Sequence, residues 1–304
     1  MEIKMVKKYG IVAIVGKPNV GKSTLINAIM RKKVSIISNK PQTTRNAIKE
    51  IYEDDDSAII FTDTPGFHEP SNKLDLFLNH EIEVSYKEAN VILFVSSMDK
   101  ELSEDDFEII NLIKESNKEN VILVISKAEV AKNQDKIDER VHQLNKYIQF
   151  KDVIQISALH VINIDKLINT IKQYLHKDVV TDYFRQKVEK EDKFIIAETI
   201  REQCLLNLNH EVPHGVGVEI DESKYNQEAN HWIIKASIII EKNSHKPIVI
   251  GQNGAMIKKI SMAARKQLHE IYDCHISLTI FVKVENNWRE NNNVVKSLGY
   301  KIKK

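Results

Sequence analysis

Gly16-Lys17-Pro18-Asn19-Val20-Gly21-Lys22-Ser23 is the stretch whose reading decides the fold. Two glycines with four residues between them, followed by Lys and Ser, make the pattern of a phosphate-binding loop. The flanks agree with it. Tyr9–Val15 (YGIVAIV) is a short apolar, β-branched run of the kind expected for a buried parallel strand. Ser23–Met30 (STLINAIM) predicts a helix with Leu25, Ile26 and Ile29 on its apolar side. Strand, glycine loop and helix together predict an anion nest in which backbone N–H groups and a helix N-terminus converge on phosphate. The expected nucleotide contacts are Gly16 and the run Asn19, Val20, Gly21, Lys22, Ser23 and Thr24. In this pattern Lys22 reaches the β- and γ-phosphates and the Ser23 hydroxyl ligates Mg²⁺. A chance glycine turn is the plain alternative, and both flanks argue against it.

The chain of 304 residues has room for two domains. Its 42% hydrophobic content allows ordinary cores, and 29% charged residues suit a polar surface. Cys204 and Cys274 stand far apart in apolar surroundings, which reads as buried thiols of a reducing compartment. The sequence shows no signal peptide, lipidation motif or apolar run of bilayer length, so a cytoplasmic location is expected.

After the first helix comes the basic, β-branched Lys32–Ile37, then the polar Ser38–Arg45 (SNKPQTTR), which lacks the periodicity of an element and reads as a loop. Thr44 stands where switch GTPases supply a second hydroxyl to Mg²⁺. An ordinary Ser/Thr-rich turn remains open for that loop taken alone. Ser57–Thr62 (SAIIFT) is another buried-strand run, and it ends in Asp63-Thr64-Pro65-Gly66. An acidic residue there can hold Mg²⁺, and the Gly66 N–H can meet the γ-phosphate, so Lys22, Thr44, Asp63 and Gly66 form the expected catalytic set. Strands at Val91–Val95 and Val121–Ile125 follow, the second ending in Ser126-Lys127-Ala128-Glu129. A last strand, Val153–Ile156, ends in Ser157-Ala158-Leu159, and Ile48–Glu53 reads as an antiparallel edge strand. Strands alternating with helices, each polar motif at a strand's carboxyl end, predict a doubly wound α/β sheet with its ligand at that edge.

The ordered set GKPNVGKS, TTR, DTPG, SKAE and SAL has the layout of a translation-factor-like GTPase, so GTP and GDP are the expected ligands. Two departures stand out. Guanine is usually read by Asn-Lys-x-Asp, whereas Ser126 and Glu129 replace the Asn and Asp here. Glu129 keeps the carboxylate that pairs with the two donors of guanine, Lys127 can lie along the base, and the Ala158 N–H can meet O6, in the turn formed with Ser157 and Leu159. Ser126 is expected to be too short to brace the neighbouring loops. The residue after Gly66 is Phe67, where Ras-like enzymes offer a water-orienting Gln, so intrinsic turnover is expected to be slow. Related GTPases with an apolar residue there carry a potassium-ligating Asn in the phosphate loop, which makes K⁺ at Asn19 one reading and a simple turn residue the other.

In the second half, a charged stretch around His176–Lys193 leads into Phe194–Leu208, where Phe194, Ile195, Ala197, Ile200, Leu205 and Leu208 outline an amphipathic helix. The domains are accordingly expected at 1–176 and 194–304, with 177–193 as linker. Val216–Ile220 and Trp232–Ile240 read as strands, followed by Gly251-Gln252-Asn253-Gly254 and a helix with Ile257, Ile260, Ala264, Leu268 and Ile271 on one face. Strand-like Ile276–Val284 closes the unit. This order is that of an α+β type II KH domain, an RNA-binding module whose GxxG loop clamps the backbone. Gly251, Gln252, Asn253, Gly254, Lys258 and Lys259 are the expected RNA contacts. Lys242–Lys304 holds twelve basic and four acidic residues, and Gln186–Glu241 six and eleven, so basic charge gathers around GxxG and the C-terminus. Trp288 reads either as a base-stacking residue or as packing for the last strand.

The chain resembles the Era family of bacterial GTPases with a C-terminal KH domain over nearly its whole length. The resemblance rests on GKPNVGKSTLINA, PQTTR, DTPGFH, PHGVGVE, IVIGQNGAMIKKI and NWRENNNVVKSLGY. It implies that GTP binding sets the orientation of the KH domain, which then holds the 3′ end of small-subunit ribosomal RNA on the assembling small subunit. It also implies peripheral association with the inner membrane, a property no residue pattern here indicates. Two alternatives stay open at the level of sequence. An RNA-remodelling NTPase of altered base specificity would follow from SKAE, and an RNA-binding scaffold with little turnover from Phe67.

Overall fold

The computed structural model describes residues 6–32, 45, 48–67, 69–179 and 192–300. Thr44, like the rest of 33–44, lies outside the described residues, as does 180–191 of the expected linker. Two compact units are present, one carrying the phosphate loop and one carrying GxxG.

In the first unit the strands are β1 (Val6–Val15), β2 (Ile48–Glu53), β3 (Ser57–Asp63), β4 (Val91–Ser97), β5 (Val121–Ser126), β6 (Asp152–Gln155) and β7 (His176–Val179). The helices are α1 (Lys22–Met30), α2 (Lys73–Glu88), α3 (Glu104–Glu115), α4 (Gln134–Asn145) and α5 (Ile164–Ile171). The sheet order is β2-β3-β1-β4-β5-β6. β3, β1, β4, β5 and β6 run parallel, and β2 is antiparallel to β3 as its edge position predicts. Each residue of β3, β4 and β5 is buried, because helices cover both faces of a parallel sheet. β1 alternates between the two cores. Val12 and Ile14 pack with Leu25, Ile26 and Ile168 on one face, while Ala13 and Val15 pack with Phe94, Ile109 and Ile110 on the other. Each buried Val, Leu, Ile or Phe side chain among them contributes about 1.5–3 kcal/mol.

His176–Val179, at the start of the expected linker, forms β7, which pairs antiparallel with Val6–Tyr9. The parallel pairing of β1 with β4 starts only at Val12, so the first residues of β1 would otherwise show an open edge. Asn90 closes the junction: its Oδ1 accepts from the Ile11 N–H at 2.8 Å and its own N–H donates to the Ile11 carbonyl at 2.8 Å. Unmet backbone groups at a sheet edge outweigh the polar composition of His176–Val179.

The second unit comprises α6 (Asp192–Asn207), β8 (Gly217–Asn226), β9 (His231–Ile240), α7 (Lys246–Ile250), α8 (Ala255–Tyr272), β10 (His275–Val284) and α9 (Asn292–Ser297). Its sheet has the order β10-β9-β8, with β8 antiparallel and β10 parallel to β9. Ile196, Ile200, Cys204 and Leu208 of the first helical segment meet Ile234, Ala236, Ile260, Ala264 and Leu268 in its core. The stripe therefore runs through Ile196 and Cys204, whereas Phe194, Ile195 and Ala197 are only partly buried. α6 begins at Asp192, within the expected linker. Ile271 is 48% exposed in the last turn of α8, one turn beyond the stripe that Leu268 ends. Trp288 is fully buried and its indole N–H donates to the Gly215 carbonyl at 2.8 Å, which decides for packing over base stacking.

Candidate nucleotide site and RNA-binding loop

The phosphate loop connects β1 to α1, and each of its carbonyls has a donor. Lys22 Nζ donates to the Gly16 and Lys17 oxygens at 2.8 and 2.9 Å. Lys100 Nζ holds the Pro18 oxygen at 2.8 Å, Lys127 Nζ the Asn19 oxygen at 3.1 Å and Ser126 Oγ the Val20 oxygen at 2.6 Å. The Gly21 oxygen takes the Leu25 N–H at 2.8 Å, the first bond of the helix. With its carbonyls held by these donors, the loop has the fixed backbone that a phosphate nest requires. Gly16 is required by contact: a Cβ there would stand 2.5 Å from the Val95 carbonyl of β4. Gly21 (φ 100°) and Asn19 (φ 64°) take left-handed turns, the backbone that glycine and asparagine tolerate best.

Burial drives the Lys22 ammonium down to about 8, with the Lys100 charge adding to that and Asp63 opposing it. An anion placed in the nest reverses this, since an opposite charge favours the protonated form. Asp63 ends β3 and is fully buried, and Ser23 Oγ donates to its Oδ2 at 2.8 Å. Thr64 Oγ1 donates to the Ile14 carbonyl at 2.7 Å and fixes the DTPG turn to β1. A Cβ on Gly66 would come within 2.8–2.9 Å of Pro18 Cγ, Cα and N, so only glycine lets this turn close on the phosphate loop. Phe67 packs against the apolar cluster of Val15, Ile82 and Phe94.

At the SKAE motif, Ser126 is buried at the end of β5 and makes the brace that its short side chain argues against in the sequence. The close approach of β5 to the loop at Val20 removes the need for a longer amide. Lys127 (φ 51°) also pairs with Asp99 at 2.6 Å. Glu129 is exposed, in a short turn whose Ala128 N–H donates to the Ile156 carbonyl at 3.1 Å, tying it to the turn of Ser157, Ala158 and Leu159. Ser157 is buried, Ala158 half-buried and Leu159 73% exposed.

In the second unit Gly251 (φ 75°), Asn253 (φ 50°) and Gly254 (φ 78°) turn the chain from α7 into α8. A Cβ on Gly251 would meet the Met256 N at 2.6 Å, whereas Gly254 faces open space. Gln252, Asn253, Lys258 and Lys259 are all exposed, so the loop offers backbone and two following lysines outward. Exposed residues in a tight turn ahead of a helix are what a GxxG loop needs in order to reach a backbone partner.

Comparison with known proteins bears on both units. A family profile described as 50S ribosome-binding GTPase matches residues 11–127, and one described as KH domain matches residues 211–289. GTPase Era of Ureaplasma parvum serovar 3 is 90% identical over 99% of this chain and 100% of that protein. The chain belongs to the Era GTPase family. GTPase Era of Clostridium tetani is 39% identical over 97% of the chain and 99% of its own length. A crystal structure of Era in complex with MgGDPNP and nucleotides 1506–1542 of 16S ribosomal RNA superposes with a TM-score of 0.91, at 36% identity, covering 97% of this chain and 100% of that one. An Aquifex aeolicus Era variant bound to GDP and aluminium fluoride gives 0.88 at 34% identity, with the same coverage.

Several residues of this Era-family site carry no motif signal. Lys17 Nζ leaves the loop to meet Asp106 at 2.6 Å, the Glu101 carbonyl at 2.8 Å and Ser103 Oγ at 3.0 Å. Arg140 of α4 holds the Ser97 and Lys100 carbonyls at 3.0 and 2.8 Å and Ser96 Oγ at 3.1 Å. Only Ser103 and Asp106 were within reach of sequence reasoning, as a Ser-x-x-Asp capping box ahead of an apolar run. These bonds of Lys17 and Arg140 join residues 40 to 89 positions apart, for which spacing gives no clue.

Proposed function

We propose that this chain is a GTP-hydrolysing switch that binds the 3′ end of small-subunit ribosomal RNA and acts in rRNA processing and small-subunit biogenesis. The observation that carries it is the coexistence, in one chain alike along its length to an RNA-bound Era, of a phosphate nest with held carbonyls and an outward-facing GxxG loop. Lys22 and the loop N–H groups take the phosphates, Gly66 faces the γ-phosphate, and Glu129, Lys127 and Ala158 read guanine. The N–H groups are fixed before substrate arrives, so their attraction to the charge gathering on the phosphoryl group needs no rearrangement. With Phe67 packed against the apolar cluster, that position has no polar group to orient the attacking water, and intrinsic turnover is slow.

Ser23 and Asp63 bring a hydroxyl and a carboxylate together, an oxygen pair that fits Mg²⁺ bound mainly through phosphates, with Thr44 as the further ligand. That ion would neutralise charge on the phosphates. Asn19 is the candidate K⁺ ligand, tested by hydrolysis in matched KCl and NaCl; equal rates remove it. Two buried, unpaired thiols and the lack, among the described residues, of a helix long and apolar enough to cross a membrane support a cytoplasmic site of action.

The decisive measurement is binding of a 3′-terminal small-subunit RNA fragment with Mg·GTP, with GDP and with ATP present. GTP-promoted binding is expected. Binding indifferent to nucleotide, or promoted equally by ATP, overturns the proposal.

A further inference from the structure

Of the side-chain donors that hold the phosphate-loop carbonyls, one belongs to no nucleotide-binding motif. Lys22 comes from the loop itself, and Ser126 and Lys127 from the base-reading motif. Lys100, whose Nζ donates to the Pro18 oxygen at 2.8 Å, comes from the turn after β4. We propose that Lys100 is a positioning residue for GTP hydrolysis, fixing Pro18, and through it Gly66, on the γ-phosphate side of the loop. The inference rests on the reading of this loop as a GTPase site.

Pro18 is the one loop residue with no N–H to offer a phosphate, so its carbonyl is the only backbone handle by which it can be placed. It is also the residue against which Gly66 closes. A Cβ on Gly66 would be 2.8–2.9 Å from three Pro18 atoms, so the DTPG turn lies against Pro18 with no room for a side chain between them, and where Pro18 is held sets what Gly66 packs on. Lys100 therefore acts at the contact between the two elements that flank the γ-phosphate.

The turn that carries Lys100 is itself held. Arg140 donates to the carbonyls of Ser97 and Lys100, which fixes the turn from the α4 side. Lys17 runs the opposite way, out of the loop to the Glu101 carbonyl and to Asp106, and both ends of that ion pair are buried. Loop and turn are thus laced in both directions, by one lysine from each. A lysine on a free surface loop would lose about as much in side-chain entropy as its single bond returns. Here the neighbouring bonds have already fixed the turn. Lys100 also brings charge: after burial, it is among the groups that lower the Lys22 ammonium, so the two cations act on the same space. A GTP γ-phosphate adds charge that GDP lacks, and a cation on that side favours GTP over GDP.

The test uses the full chain with Lys100→Met, which keeps most of the stem and removes donor and charge, and Lys100→Arg, which restores both. Affinities for Mg·GDP and for a non-hydrolysable Mg·GTP analogue are measured together with single-turnover hydrolysis and thermal melting. Lys100→Met is expected to weaken the GTP analogue about ten-fold, the scale of a lost charge-assisted bond, while GDP changes less than about three-fold. Hydrolysis should slow, and Lys100→Arg should recover most of both losses. Equal losses for GDP and the analogue, with a lower melting temperature, would mean a brace for the loop alone and overturn the proposal. So would unchanged affinity and rate. Failure of the unaltered chain to bind either guanine nucleotide would instead overturn the GTPase reading beneath it.

Discussion

Ser126 Oγ donates a 2.6 Å hydrogen bond to the Val20 carbonyl oxygen, and through that bond the end of β5 holds the phosphate loop. The hydroxyl does here what a longer amide does in an Asn-Lys-x-Asp site. Ser126→Ala leaves the buried Val20 carbonyl without this donor, at a cost of about 1–2 kcal/mol. GDP and GTP should both weaken by roughly ten-fold, because the brace acts on the loop and not on one phosphate. Competition against a fluorescent GDP measures it; unchanged affinity would show that the brace is dispensable.

Glu129 is the group that should decide the base. Guanine offers N1–H and a 2-amino group to a carboxylate, whereas adenine presents a lone pair at the same edge. Glu129→Ala is expected to weaken GDP by about 10–100-fold, as a charge-assisted pair is lost, and to leave ATP binding where it was. Titrating GTP and ATP against bound fluorescent GDP gives both numbers. Equal competition in the unaltered protein would refute guanine reading altogether.

Gln252 and Asn253 are exposed at the tip of the GxxG loop, so replacing both by Asp places two negative charges against an RNA backbone without touching the core. RNA affinity should fall at least ten-fold while GDP affinity stays within two-fold, given the electrostatic share of such binding. A filter-binding titration at two salt concentrations checks it, and wild-type RNA affinity in the double variant would remove the loop from the interface.

Val161 follows the Ser157-Ala158-Leu159 turn with φ 56°, a left-handed backbone that a β-branched residue seldom accepts. Glycine relieves about 1–2 kcal/mol of steric cost and returns roughly half of that as unfolded-chain entropy. Val161→Gly should therefore raise stability by about 0.5–1 kcal/mol in urea unfolding. A loss of stability would show that the side chain packs well enough to outweigh its backbone.

Asp54 closes the β2–β3 hairpin that leads into DTPG. Burial works against its carboxylate, yet hydrogen bonds with the side chains of Lys172, Ser57, Asp56 and Tyr52 outweigh that and hold the carboxyl well below its ordinary value of 3.8. A group depressed in the fold contributes fully above its unfolded value, and its contribution is lost as pH falls through the folded one. The first domain should lose stability below about pH 4 through this group. Lys172→Met, which removes the donor at 2.7 Å, should flatten that acid limb in melts between pH 5 and pH 3. An acid limb of unchanged steepness would assign the loss to other carboxylates.

The sequence by itself determined the order of elements and the places where chemistry could sit. Apolar runs of strand length ending in GKPNVGKS, DTPG, SKAE and SAL leave few alternatives to a doubly wound sheet, because such a sheet gathers its strand ends on one edge. The GxxG loop was legible for a similar local reason: two glycines between an apolar run and a basic-started helix allow a tight turn of exposed backbone. What only the tertiary structure decided are the bonds between distant segments. That Ser126 is long enough depends on how closely β5 approaches Val20, not on the side chain itself. That His176–Val179 is a strand and not linker depends on an open edge of β1 that no local pattern announces. Lys17, Lys100 and Arg140 look like surface charges in the sequence, since a lysine or arginine reads the same whether solvated or held. Each is fixed here by carbonyls brought to it by chain folding across 40 or more positions, and only the packed sheet specifies which carbonyl that is.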